Sequence, residues 1–176
     1  MISILSIRKM NKIIIKDNFL NKTTFTSIRD TMFDAPGSVF PWFLQKDKVM
    51  EGDNEMQLTH LFYHKVPNSD FFKILFPILN KLQIRAIQRV KANCTFKKNK
   101  KRLYSYHIDE ITPKNETAGK TSIFYLHTTN GPTFFKTGEK VDCIANRMVT
   151  FPTNLKHTGS THTDTLVRGV ININWF

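Results

Sequence analysis

Apolar and polar positions change their rhythm near residue 84, from a mixed first half to a second half of short strand-like runs. Residues 12 to 16 form a continuous β-branched run that predicts a buried strand, closed by Asp17-Asn18. Lys22 to Met32 places Phe25, Ile28 and Met32 on one helical face and predicts an amphipathic helix. Residues 34 to 57 carry Pro36, Gly37, Pro41 and Gly52 among aromatics, which predicts short strands joined by long loops. Trp42 and Phe43 there are candidates for a pocket rim, or for covering one face of a sheet.

Leu58 to Tyr63 reads as a strand, and Ser69-Asp70 supplies a cap for a helix running to about Leu82, with Phe71, Leu75, Ile78 and Leu82 along one face. Pro77 inside it predicts a kink or a shortening. Beyond Ile84, strands are expected over 84–96, 103–110, 121–128, 133–135, 141–143, 147–151 and 165–175, separated by Gly, Pro and Asn. Such spacing predicts an antiparallel sandwich or barrel, mainly β, with the early helices packed on its outside.

Length then bounds the organisation. A chain of 176 residues suits one domain, expected over 12–176. The opening places its apolar residues before Arg8-Lys9 with no small-residue cleavage site after them, so 1–11 reads as a non-targeting N-terminal extension. No apolar run is long enough for a membrane span, and two isolated cysteines, Cys94 and Cys143, argue for a reducing, cytoplasmic setting. The formal charge of +12 fits nucleic acid, anionic metabolites or an acidic protein surface as partners. Its densest run, residues 97 to 102, reads first as a solvated hairpin loop.

The chemistry concentrates in the strand-rich half. His107 and Asp109 alternate with Ile108, so on a strand they project to one side, as two ligands of one metal require. An imidazole and a carboxylate are two corners of the facial triad that leaves iron(II) with open positions. His157 is favoured as the third ligand by its place after the Phe151-Pro152 segment, and His162 competes with it. His60, His64 and His127 lack partners at ligand spacing and read as structural or exposed. Arg168 opens the run to Phe176 and shares a strand face with Val170 and Asn172. A buried arginine needs an anionic partner, and a carboxylate meets it at two points. A dicarboxylic co-substrate would span the metal and Arg168.

In this order and spacing the chain resembles the iron(II)- and 2-oxoglutarate-dependent oxygenase superfamily, and within it the prolyl-hydroxylase-like branch, including small bacteriophage members. The resemblance covers roughly residues 12 to 176. It rests on His107-Ile108-Asp109, Ile123 to Leu126, the turn Asn130 to Phe135, Asn146 to Pro152, and His157 with Arg168. It implies a double-stranded β-helix in which His107, Asp109 and His157 hold Fe(II) and Arg168 binds the distal carboxylate of 2-oxoglutarate. It also implies O2 as oxidant, ascorbate as an optional reductant, and hydroxylation with release of succinate and CO2. The family motif places the ligand before the Thr158 to Thr161 turn, which selects His157 over His162. Tyr125 matches a family tyrosine that hydrogen-bonds the same carboxylate, with plain packing in the sheet as the alternative.

The sequence departs from the family where relatives often carry a tyrosine after the Lys91-Ala92-Asn93 strand: here stands Thr95. Asn93 is a substitute for that contact, or a residue satisfying the backbone. The branch favours a peptidyl-prolyl or amino-acid-like substrate. The competing class is a basic β-barrel module that binds nucleic acid or an anion without oxygenase activity, and a third is a cupin that holds metal without 2-oxoglutarate.

Overall fold

The computed structural model describes residues 7–10, 12–34, 40–47, 55–109 and 119–176. Pro36, Gly37, Gly52, Glu110 and most of the expected N-terminal extension lie outside the described residues. Within that extension, Ile7–Met10 (β1) forms a strand, paired antiparallel with Ile13–Lys16 (β2). The isoleucine run thus becomes the inner strand of an edge hairpin.

Helix α1 (Lys22–Phe33) forms as its periodicity predicts. Asn21 caps it by accepting from the Thr24 N–H, and Phe25, Ile28 and Met32 are buried. Each of those side chains contributes roughly 1.5–3 kcal/mol by leaving water. Chain order then gives β3 (Phe43–Gln45), β4 (Gln57–His64) and β5 (Val66–Pro67). The expected helix after Ser69 divides: Asp70–Leu75 is a 3₁₀ helix and Phe76–Leu82 (α2) is α-helical. Pro77 causes the division, because it lacks an N–H and is tolerated only in the first turn of the α segment.

The remaining strands are β6 (Ile87–Phe96), β7 (Lys120–Tyr125), β8 (Thr129–Phe135), β9 (Lys140–Cys143), β10 (Met148–Pro152), β11 (His157–Gly159) and β12 (Val167–Trp175). They build two antiparallel sheets. The larger runs β1-β2-β10-β7-β12-β6-β4-β3 with β5 beside β4, and the smaller runs β11-β8-β9. β12 sits centrally, and its alternate residues serve different layers. Ile171, Ile173 and Trp175 join Phe25, Ile28 and Met32 in the core under the helices. Val170 packs between the sheets with Ile123, Tyr125, Phe135, Val141 and Phe151.

Two expectations need correction. Residues 103–109, the described part of the expected strand 103–110, do not form a continuous strand; they touch the fold through isolated bridges, Leu103 to Ser160 and His107 to His157. Nor is the basic run 97–102 a hairpin loop. β6 pairs with β4 and β12, whereas the segment after the run crosses to β11. The run is therefore a crossover, and Lys98 and Arg102 within it are ion-paired with Glu55.

Candidate metal centre

The bridge between His107 and His157 makes the site. Each donates its backbone N–H to the other's carbonyl, at 3.0 and 2.9 Å, and their rings lie 4.6 Å apart between centroids. Asp109, two residues beyond His107, completes the group. One ligand atom from each of His107, Asp109 and His157 lies within 4.8 Å of the others. Among the described residues this is the one such group of three metal-ligating side chains. His162 is fully buried elsewhere, its Cβ close against Gly131.

Both imidazoles are oriented by main-chain carbonyls. His157 Nδ1 lies 3.1 Å from Leu155 O, and His107 Nδ1 lies 3.3 Å from Ser105 O. The carbonyls can only accept, so each Nδ1 carries the proton and each Nε2 keeps a lone pair for a metal. Burial holds the His157 pKa below its ordinary value, with His107 acting in the same direction and Asp109 and the Leu155 carbonyl opposing. A neutral imidazole is the form that ligates.

Asp109 is held by groups that sequence reasoning missed. Its Oδ2 accepts from Asn174 Nδ2 at 2.8 Å and from Thr121 Oγ1 at 3.1 Å, while Arg89 lies 3.6 Å from Oδ1. Burial alone raises the Asp109 pKa, but His157, Asn174, Arg89 and His107 together pull it below the usual value. The carboxylate is therefore ready as an anionic ligand. Strand parity was the available signal: Asn174 lies on the face already assigned to Arg168 and Asn172.

These side chains open into a cavity of about 480 Å³, which Arg168, Asn93, Thr95, Asn172, Thr133, Arg89 and Lys91 also line. Arg168 is buried, donates through Nε to Gly131 O at 2.9 Å, and has its guanidinium 5.7 Å from the Tyr125 ring centre. Tyr125 is wholly buried and donates to Thr133 Oγ1 at 2.7 Å; burial is the largest of the influences that push its hydroxyl pKa upward. Asn93 does not use its side-chain carbonyl on the backbone: Asn93 Oδ1, Thr95 Oγ1 and Asn172 Oδ1 are buried without a hydrogen-bond partner. Three such oxygens in one cavity call for a polar occupant.

The donor set fits iron(II): two neutral imidazoles and one carboxylate leave coordination positions free for other ligands. Trp42 belongs elsewhere, packed on Phe33 and Phe40 and donating to Met32 O. Phe43 is exposed at the rim of a different, wider cleft of about 800 Å³ beside His60 and Phe71.

No family model and no curated protein matches the chain. Solved structures do. A prolyl hydroxylase from Trichoplax adhaerens, solved with a hypoxia inducible factor oxygen degradation domain peptide fragment, aligns over 95% of this chain and 84% of its own with a TM-score of 0.66 and 15% identity. An oxidoreductase of the 2OG-Fe(II) oxygenase family from Burkholderia pseudomallei aligns over 93% and 85%, with a TM-score of 0.66 and 9% identity. The viral collagen prolyl hydroxylase of Paramecium Bursaria Chlorella virus-1, solved with 2-oxoglutarate, aligns over 94% of both chains, with a TM-score of 0.62 and 15% identity. The fold is that of the 2-oxoglutarate-Fe(II) oxygenases, and at these identities the likeness speaks for the fold alone.

Proposed function

We propose that the chain is an Fe(II)- and 2-oxoglutarate-dependent dioxygenase that hydroxylates a peptidyl or amino-acid-like substrate, with residues 12–176, joined by the β1 strand from the expected extension, as its single catalytic domain. The observation that carries this reading is the convergence of His107, Asp109 and His157 on a cavity that also receives the buried Arg168. His107 and His157 would bind the metal through Nε2 and Asp109 through a carboxylate oxygen. Arg168 would meet the distal carboxylate of 2-oxoglutarate, with Tyr125 backing the guanidinium and fixing Thr133. Asn93 and Thr95, whose side-chain oxygens lack partners, would complete the polar lining around the co-substrate.

When bound, iron and 2-oxoglutarate supply the oxidising power: O2 is consumed, succinate and CO2 leave, and one oxygen atom enters a C–H bond of the substrate. The protein's share is orientation and shielding. Thr121 and Asn174 hold Asp109 from behind, the Ser105 and Leu155 carbonyls fix the imidazole tautomers, and Ile123 and Val170 supply apolar wall. The peptide fragment bound in the Trichoplax adhaerens structure favours a peptide substrate. No described helix is long and apolar enough to cross a membrane. Both cysteines are buried and free, and burial pushes the Cys94 thiol up to about 12, which keeps it protonated and unreactive.

The test is succinate formation from 2-oxoglutarate in air, with Fe(II) and ascorbate present as reductant. Slow turnover without an added substrate is expected in the native protein and is lost in Asp109→Ala. Succinate at the metal-free level in the native protein would refute the reading.

A further inference from the structure

Lys91 has no place in the proposed machinery, yet its side chain lines the cavity. Across the β12–β6 ladder, Arg168 stands opposite Thr95, Asn172 opposite Lys91, and Asn174 opposite Arg89. Lys91 therefore lies one rung from the cradle that holds Asp109 and two rungs from Arg168, on the side of the cavity that leads out to β3 and β4. Its Nζ has one hydrogen-bonding partner there, Gln45 Oε1 at 3.5 Å, and Gln57 Nε2 lies at 3.5 Å from the same oxygen.

The charges around it do not balance. Among the described residues lining the cavity, Asp109 is the one carboxylate, against Arg89, Lys91 and Arg168. In the proposed reading, the iron is matched by Asp109 and the near carboxylate of 2-oxoglutarate, and Arg168 by the far one. Arg89 shares the Asp109 charge with the iron, so Arg89 and Lys91 are both in excess; of the two, Arg89 touches that carboxylate directly and also donates to Asn174. Lys91 is left with a neutral amide. Burial, with Arg89 nearby, holds its pKa below the ordinary lysine value, and Asp109 opposes this in part. A half-buried ammonium without a counter-ion costs free energy that an arriving anion recovers.

The apolar part of the lining is different. Tyr106 and Ile108 line the same cavity and are 37% and 43% exposed, large apolar side chains left open at its mouth. Tyr106 presents a face to Lys136, whose Nζ lies 5.2 Å from the ring centre. A ligand entering here meets an ammonium and two amides together with an aromatic and an aliphatic group.

We propose that Lys91 is the substrate-reading residue of this site and that the substrate carries a carboxylate on an aliphatic body, close to the carbon that is oxidised. This rests on the oxygenase reading. The carboxylate has two sources, the main-chain carboxylate of a free amino acid or the side chain of an acidic residue in a peptide. A single ammonium flanked by glutamine amides suits one carboxylate better than the repeating phosphates of a nucleic acid, which would need a track of cations.

The test measures binding, without turnover. Protein loaded anaerobically with Mn(II) and 2-oxoglutarate is titrated with three probe sets: free L-amino acids against their amides, random pentapeptides with one fixed Asp or Glu against the Asn or Gln versions, and a dT10 oligonucleotide. Metal and co-substrate binding are measured in the same samples. The expected result is that one acid set binds at least about tenfold more tightly than its amide counterpart, that Lys91→Met removes the preference, and that Lys91→Arg keeps it. The set showing the preference identifies the source. Acids and amides binding alike, neither binding, or the oligonucleotide alone binding would overturn the proposal, as would a preference that survives Lys91→Met. If the native protein fails to bind Mn(II) and 2-oxoglutarate, the oxygenase reading itself has failed, and the control separates that outcome from the others.

Discussion

Asn174 Nδ2 donates to Asp109 Oδ2 at 2.8 Å and to Thr121 Oγ1 at 3.0 Å, so the last strand of the fold holds the carboxylate ligand from behind. With Oδ2 engaged by two donors, the carboxylate cannot rotate freely, and Oδ1, which has the Arg89 guanidinium 3.6 Å away but accepts no hydrogen bond among the described residues, is the oxygen available to a metal. Groups that orient metal ligands typically matter 10- to 100-fold in affinity, roughly, when removed. Asn174→Ala is therefore expected to weaken metal binding by about that factor while the protein stays folded. Calorimetric titration with Mn(II) checks this, and an unchanged affinity would show that Asp109 needs no such support.

Arg168 should distinguish charge from geometry. Its Nε is committed to Gly131 O, which aims the rest of the planar guanidinium. Lysine keeps the charge but loses the two-point contact with a carboxylate. Arg168→Lys is expected to weaken 2-oxoglutarate binding on the order of tenfold or more and to leave metal affinity as it was. Equal affinity for the co-substrate in both proteins would make Arg168 a structural residue.

Gly169, on the site strand β12, faces the helix layer. A Cβ there would stand 2.6 Å from Phe33 Cζ and 3.2 Å from His127 Nδ1. The Phe33 ring cannot swing aside easily, being packed on Trp42 and His127. Gly169→Ala is expected to cost about 1–3 kcal/mol, the usual range for overpacking. Adding Phe33→Leu should recover part of the loss, and urea denaturation of both variants measures it.

Histidine burial gives the metal-free protein a defined pH dependence. Desolvation lowers the His60 pKa below 6.5, partly offset by its hydrogen bond to Pro41 O. That carbonyl accepts from Nδ1 at 2.7 Å, and Nε2 meets the Ser69 hydroxyl at 2.9 Å. His127 is lowered too, by burial first and by the nearby Arg29 charge. A group with a depressed basic pKa binds its proton in the unfolded chain first. Stability is therefore full above pH 6.5, falls as the pH drops towards the folded pKa, and levels off below it. The urea midpoint should decline as the pH falls from about 6.5 to 5.5, and His60→Gln should flatten the decline. A midpoint rising over that interval would contradict the assigned direction.

Much of this was legible in the sequence because periodicity reports burial. Phe25, Ile28 and Met32 give α1, and the parity of Arg168, Val170 and Asn172 gives the inner face of β12. Residues 7–10 and 157–159 were missed as strands because neither run is long enough to show alternation. The segment after Leu103 alternates like a strand, yet local pattern cannot reveal that its partner is β11, nor that the contact shrinks to isolated bridges. His107 and His157 were paired through family resemblance, and the reciprocal backbone hydrogen bonds supply the physical reason. The support around Asp109 from Asn174, Thr121 and Arg89 depends on three strands being adjacent, which no single segment encodes.

The most direct test of the central claim is an anaerobic titration of the Fe(II)-loaded protein with 2-oxoglutarate, followed in the visible range. A keto acid chelating iron at the His107, Asp109 and His157 group should give a weak metal-to-ligand charge-transfer band that saturates with one equivalent and is absent in His107→Ala. No band in the native protein, or a band that persists in His107→Ala, would contradict the assignment and return the basic β-barrel binding module as the better description.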